Sequence, residues 1–177
     1  AGSFDKAGGR DDWEMSTPLH LMAFAGAEQS ARFLASPEAD ASGTALFQVD
    51  IDGWTPLMSA LAPHRPRTPG QSAAAVVLVL LYSLRRTVEI CLGGTATRDN
   101  KSTPIKSTSH LHRPSINATT TKKVDTAVHR MLSQTNNRGM TAVHLACMQG
   151  DLHALEAMLA GVSPKRVGSL LRMRCNL

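Results

Sequence analysis

Apolar positions recur at helical spacing in short blocks separated by polar turns. The clearest block is 136–159, NNRGMTAVHLACMQGDLHALEAML. Asn136 to Gly139 is a turn signal, and Gly139 can take a positive φ without the steric cost that a side chain brings. Thr141 reads as the N-cap of a short apolar helix, Ala142 to Met148. Gly150 stops that helix, and Asp151 caps a second one, Leu152 to Leu159. Leu152, Leu155, Met158 and Leu159 give the second helix one buried face. Neither helix can bury its apolar side alone, so the unit asks for neighbours of its own kind.

The start of the unit occurs twice more. Thr17-Pro18-Leu19-His20-Leu21-Met22-Ala23 leads to Gly26 and a helical stretch, Glu28 to Leu34. Asp50-Ile51-Asp52-Gly53-Trp54-Thr55-Pro56-Leu57 repeats the turn and the helix start. The pattern resembles the ankyrin repeat, whose signature is a T-P-L-H-x-A helix start with a period of about 33 residues. The resemblance covers roughly residues 12–92 and 123–161. It implies an all-α fold: a solenoid of stacked helix–turn–helix units with β-turn-like loops. The structural positions of the motif are then Thr17, Pro18, His20, Gly53, Thr55, Pro56, Gly139, Thr141, His144 and Gly150. In the first repeat Met15 stands where the pattern has glycine, and in the second Met58 replaces the motif histidine.

The remaining stretches fit this frame unevenly. Residues 1–11 are Gly-rich and polar and read as a flexible N-terminus. The loop from Glu38 to Val49 is long. Ala73 to Leu84, AAAVVLVLLYSL, is apolar on every side, so a doubly buried helix stopped by Arg85-Arg86 is expected. At about 12 residues it is short for a membrane span, which needs about 20. The β-branched Val76, Val77 and Val79 leave a buried strand as an alternative. Val124 to Leu132 reads as a helix with Val124, Ala127, Val128, Met131 and Leu132 on one face. Two registers are open: either 73–92 is the second helix of repeat two and 124–132 belongs to a degenerate extra repeat, or 124–132 is itself that second helix. Residues 93–122 have no hydrophobic period and are expected to form a disordered basic insertion. Ser163-Pro164 opens a last helix within 162–177, with Val167, Leu170 and Leu171 on its apolar face and Lys165, Arg166, Arg172 and Arg174 in solvent. It suits a cap over the end of the stack.

Charge sharpens this division. The net charge is +5, yet residues 1–92 carry seven Lys and Arg against ten Asp and Glu, and residues 93–123 carry six against one. The basic excess sits in the insertion and the tail, which argues against a specific nucleic-acid surface on the repeats. Cys91, Cys147 and Cys175 are odd in number and unpaired in spacing, so free thiols in a reducing, cytoplasmic or nuclear compartment are expected. Cys147 falls where the repeat pattern has a small buried residue. The missing initiator Met raises the reading that the chain is a fragment.

Candidate chemistry is sparse. His20 and His144 belong to the repeat motif, where the resemblance gives them a bridging role between turns. His110 and His112 have no third ligand at close spacing. Residues 94–102, GTATRDNKS, place Thr95 and Asn100 where a phosphate loop needs its glycines. No catalytic set, metal site or cofactor site is expected. The resemblance instead implies a non-enzymatic module that binds a protein or peptide partner through turn tips and the concave face of the first helices. Those places hold Trp13, Glu14 and Phe24, then Ile51, Asp52 and Trp54, then Arg138, Met140, Met148 and Gln149. Three of the seven aromatic residues fall among them, and aromatics are favoured interface anchors. A further reading makes the chain the regulatory ankyrin portion of a larger enzyme, channel or acyltransferase.

Overall fold

The structure is a computed structural model, and it describes residues 15–63, 72–93 and 118–175. Trp13, Glu14, His110, His112 and the span 94–117 lie outside the described residues. Among the described residues the fold is all-helical and contains no strand. The elements are α1 (Pro18–Ala25), α2 (Glu28–Leu34), a 3-10 helix (Thr44–Phe47), α3 (Pro56–Ala60), α4 (Ala74–Gly93), α5 (Ala118–Ser133), α6 (Ala142–Gln149), α7 (Leu152–Leu159) and α8 (Pro164–Leu171).

Local chemistry sets the short helices. Thr55 and Thr141 sit in extended backbone and accept from the N–H groups of Met58 and His144, three residues on. These bonds satisfy donors that a helix start leaves open. Pro18 and Pro56 occupy first helical positions, where a missing N–H costs nothing. Gly26 and Gly150 end α1 and α6 in the left-handed conformation.

The helices pack in two rows. In one, α1 lies on α3 and α3 on α6; in the other, α2 lies on α4 and α4 on α7. One apolar cluster runs through both rows, from Leu19 and Ala31 through Leu57, Leu61 and Leu80 to Leu145, Met158 and Leu170. Polar contacts also hold the second row together. Asp151, itself buried, caps α7 through the Ala154 N–H, and it accepts from Ser72 Oγ at 2.7 Å and the Ala73 N–H at 2.8 Å. One carboxylate thus fixes the starts of α4 and α7 together.

Three expectations need correction. The strand alternative for 73–84 fails, because the segment is helical, and the helix does not stop at Arg85-Arg86. Arginine is a good helix former, so α4 continues to Gly93, with Arg85 reaching the Ala160 carbonyl. Nor is α4 buried all round: Leu78 and Tyr82, one turn apart, are 52% and 61% exposed. Arg85, Arg86 and Glu89 interrupt its apolar run, and among the described residues no helix is long and apolar enough to cross a membrane.

The helix expected at 124–132 begins earlier, so residues 118–122 are helical rather than part of an unstructured insertion. Its buried end, Val128, Met131 and Leu132, anchors a helix that propagates back through polar residues. α5 packs along α4 and touches α6 and α8. It does not open a layer of its own, because the turn before α6 bonds directly to the turn before α3.

In α8, Leu170 is buried but Leu171 is 59% exposed. Arg166 is not free in solvent: its Nε lies 2.8 Å from Asp125 Oδ2, in a half-buried pair that ties α8 to α5. The long loop before α3 is also built. Its 3-10 helix buries Leu46, and the Asp40 carboxylate accepts from the Ser42 hydroxyl and the Ala45 N–H.

Candidate interaction surface

The two complete turns are built alike. Asp50 N–H donates to the Trp54 carbonyl, and Asp50 Oδ1 accepts from the N–H groups of Asp52 and Trp54. Asn136 repeats this with Met140 and Arg138. Gly53 and Gly139 hold positive φ at matching places, 76° and 72°. The turns meet edge to edge: Asn137 N–H donates to the Asp52 carbonyl at 3.0 Å, and Asn137 Nδ2 donates to the Ile51 carbonyl at 3.1 Å. Met15 takes the same left-handed position in the first turn, at φ 63° and without glycine.

The motif histidines lock the helix starts. Thr17 N–H donates to His20 Nδ1 at 3.1 Å, and His20 Nε2 lies 2.9 Å from the Trp54 carbonyl. Burial holds the His20 imidazole below its ordinary pKa, against weaker support for the cation from the Trp54 carbonyl and Asp50. His144 repeats the geometry, with Thr141 N–H on Nδ1 and the Met173 carbonyl 3.0 Å from Nε2. Both rings are structural bridges.

The candidate contact residues divide. Ile51 is 50% exposed and Met148 is 62% exposed. Asp52 and Arg138 are exposed beside Ile51 on the paired turns. Phe24 and Gln149 are half-buried. Met140 is a correction: it is only 5% exposed and belongs to the core. Trp54 takes the equivalent place in its own turn and is half-buried against the core. The closing bond of each turn carries that residue inward, so neither offers its whole side chain to a partner. Trp13 and Glu14 are outside the described residues.

Sequence reasoning missed exposed bulk elsewhere. Phe33 is 69% exposed on α2. Leu78 and Tyr82 line a groove of about 370 Å³ between α2 and α4, beside the Glu28–Arg32 ion pair. The signal was present: Leu78, Tyr82, Arg86 and Glu89 share one helical stripe, and its charged end marks the solvent side. Cys147, expected to be small and buried, is exposed. Its equivalent in the first unit is Ala23, which is buried where α1 meets α3. Among the described residues no first helix follows α6 to cover Cys147.

Among the described residues no group of three or more His, Cys, Asp and Glu side chains could hold a metal ion. The exposed candidate residues stand on short helix pairs joined by bonded turns. These features define a helical-repeat protein. The ankyrin repeat family model matches residues 138–168, covering the end of the last turn, α6, α7 and the start of α8. That stretch is similar to one ankyrin repeat. Comparison with curated proteins and with solved structures gives no match.

Proposed function

We propose that this chain is a non-enzymatic interaction module whose helix pairs stack as a solenoid and present one continuous surface to a protein or peptide partner. The observation that carries the reading is the bonded pair of turns. Ile51, Asp52 and Arg138 project from two turns fixed to each other through Asn137. A rigid, preorganised tip with apolar and charged groups side by side binds without first ordering itself. Met148, at the exposed end of α6, extends the surface along the first helices. The stacking contacts of α1, α3 and α6 support the solenoid. Ankyrin repeats generally serve protein interaction, which agrees with this assignment. Exposed free thiols at Cys91 and Cys147 accord with an intracellular, reducing location.

The test is capture of partners by the full chain and by an Ile51→Glu, Met148→Glu variant. Both positions are exposed, so the variant keeps its circular dichroism spectrum. It loses the specifically captured protein. Unchanged capture by the folded variant, or substrate turnover abolished by a single polar substitution, overturns the reading.

A further inference from the structure

Charge divides the described residues into two unlike halves. Residues 15–63, which build α1 to α3, carry one Arg against five Asp and Glu. Residues 72–93 and 118–175, which build α4 to α8, carry ten Lys and Arg against four Asp and Glu. Two of those four acids are already engaged. Asp151 is buried and holds the starts of α4 and α7, and Asp125 is paired with Arg166. The connecting sequences 64–71 and 94–117 carry six Lys and Arg against one Asp, so they add to the charge of the basic half and do not cancel it.

The connection between α7 and α8 gathers cations from three helices. Arg85 of α4 donates to the Ala160 carbonyl at 2.9 Å, and its Nη2 would lie 2.7 Å from a Cβ on Gly161. Ser163, two residues on, donates its N–H and hydroxyl to Asp125 of α5. Lys122 stands one turn before Asp125, and its carbonyl accepts from the Thr126 hydroxyl, which lies 2.8 Å from Arg166 Nη2. Lys165 is next to Arg166 in the first turn of α8. Lys122 and Lys165 are both exposed.

We propose that this corner of α4, α5 and α8 binds a short acidic segment of a partner protein, one rich in Asp and Glu. The proposal rests on the reading of the chain as an interaction module and gives that module a second contact with its own chemistry. Carboxylates pair with Lys and Arg, and they are steered to a surface of opposite sign. The acidic half, α1 to α3, repels any polyanion long enough to run along the stack, which favours a short peptide over a nucleic acid duplex.

Fluorescence anisotropy of a labelled peptide of alternating Glu and Gly tests this against the 177-residue chain. The peptide binds at about 0.05 M salt and is released by about 0.5 M, because exposed charges are screened. Lys122→Glu and, separately, Lys165→Glu keep the circular dichroism spectrum and weaken binding by about fivefold or more. Arg32→Glu, the same change of charge at an exposed place on α2, leaves binding unchanged within about twofold. Equal weakening by all three substitutions means that net charge alone draws the peptide, and it overturns the proposal. So does the absence of salt-dependent binding, or tighter binding of duplex DNA or of phosphatidylserine vesicles than of the peptide. None of these results bears on the turn tips, which are tested by capture with the Ile51→Glu, Met148→Glu variant.

Discussion

His20 Nε2 lies 2.9 Å from the carbonyl oxygen of Trp54, thirty-four residues along the chain. The same ring accepts the Thr17 N–H at Nδ1, so one neutral imidazole closes its own helix start and reaches the next unit. The neutral tautomer with hydrogen on Nε2 satisfies both contacts. A second proton, on Nδ1, would set donor against donor at the Thr17 N–H and leave only the Thr17 hydroxyl, 2.8 Å away, to accept it.

Burial therefore makes stability depend on pH. The folded-state pKa of His20 is lowered from its ordinary 6.5, chiefly by desolvation. The unfolded chain takes up the proton first as pH falls. The stability that His20 contributes is complete above about pH 6.5, is lost as pH drops toward the lowered folded value, and levels off below it. Urea denaturation between pH 5 and 8 checks this against His20→Gln. The variant is less stable at pH 8 and shows a shallower fall toward pH 5. Parallel curves for the two proteins would place the dependence on other groups.

Two caps of unlike reach give a second prediction. Thr141 caps α6 alone, and Thr141→Ala costs about 1 kcal/mol. Asp151 caps α7 and also holds Ser72 and the Ala73 N–H at the start of α4. Asp151→Ala removes a cap and leaves a buried donor unpaired, so it costs about 3 kcal/mol. Chemical denaturation of both variants measures the gap. Equal losses would mean that the α4 contacts add nothing.

The half-buried pair of Asp125 and Arg166 couples α5 to α8. Asp125 also accepts from the Ser163 N–H and hydroxyl, at the position that opens α8. A double-mutant cycle with Asp125→Ala and Arg166→Ala gives a coupling energy of about 1 kcal/mol, above that of an exposed pair. Asp125→Ala alone costs more than Arg166→Ala, because it also frees Ser163. The reverse order would show that the α8 start does not depend on Asp125.

Legibility in the sequence followed locality. Thr141, Gly150 and Asp151 act on their own helix ends, and α7 has the bounds that their spacing gives. Contacts between distant segments leave no such mark. The bonds from Asp151 to Ser72 and Ala73 span more than seventy residues, and no periodicity points to them. The turn position of Met140 suggests exposure, but exposure at a turn depends on how the turn closes, and here its carbonyl accepts from the Asn136 N–H. The apolar run Ala73–Leu84 suggests burial on all sides, because hydrophobicity alone does not say how many neighbours surround a helix. Leu78 and Tyr82 face solvent for want of a packed element on that side among the described residues.

The junction between turns gives the last prediction. Gly53 has φ 76°, and a Cβ there would lie 2.8 Å from Asn137 Oδ1, 3.0 Å from the Asn137 backbone nitrogen and 3.3 Å from Asn136 Cα. Two of these are backbone atoms of the next turn, and the nitrogen donates to the Asp52 carbonyl, so they cannot swing aside without breaking the junction. Gly150 has a similar φ of 65°, but a Cβ there meets nothing within 4 Å. Gly150→Ala therefore carries only the left-handed penalty, about 1 kcal/mol. Gly53→Ala carries that penalty and the displacement of Asn137, about 3 kcal/mol together. Amide exchange at Asn137 distinguishes the two causes: its N–H loses protection in Gly53→Ala and keeps it in Gly150→Ala. If the two alanines cost the same and the Asn137 amide stays protected in both, a Cβ at residue 53 fits without disturbing the junction, and the close approach of Asn137 does not set the cost.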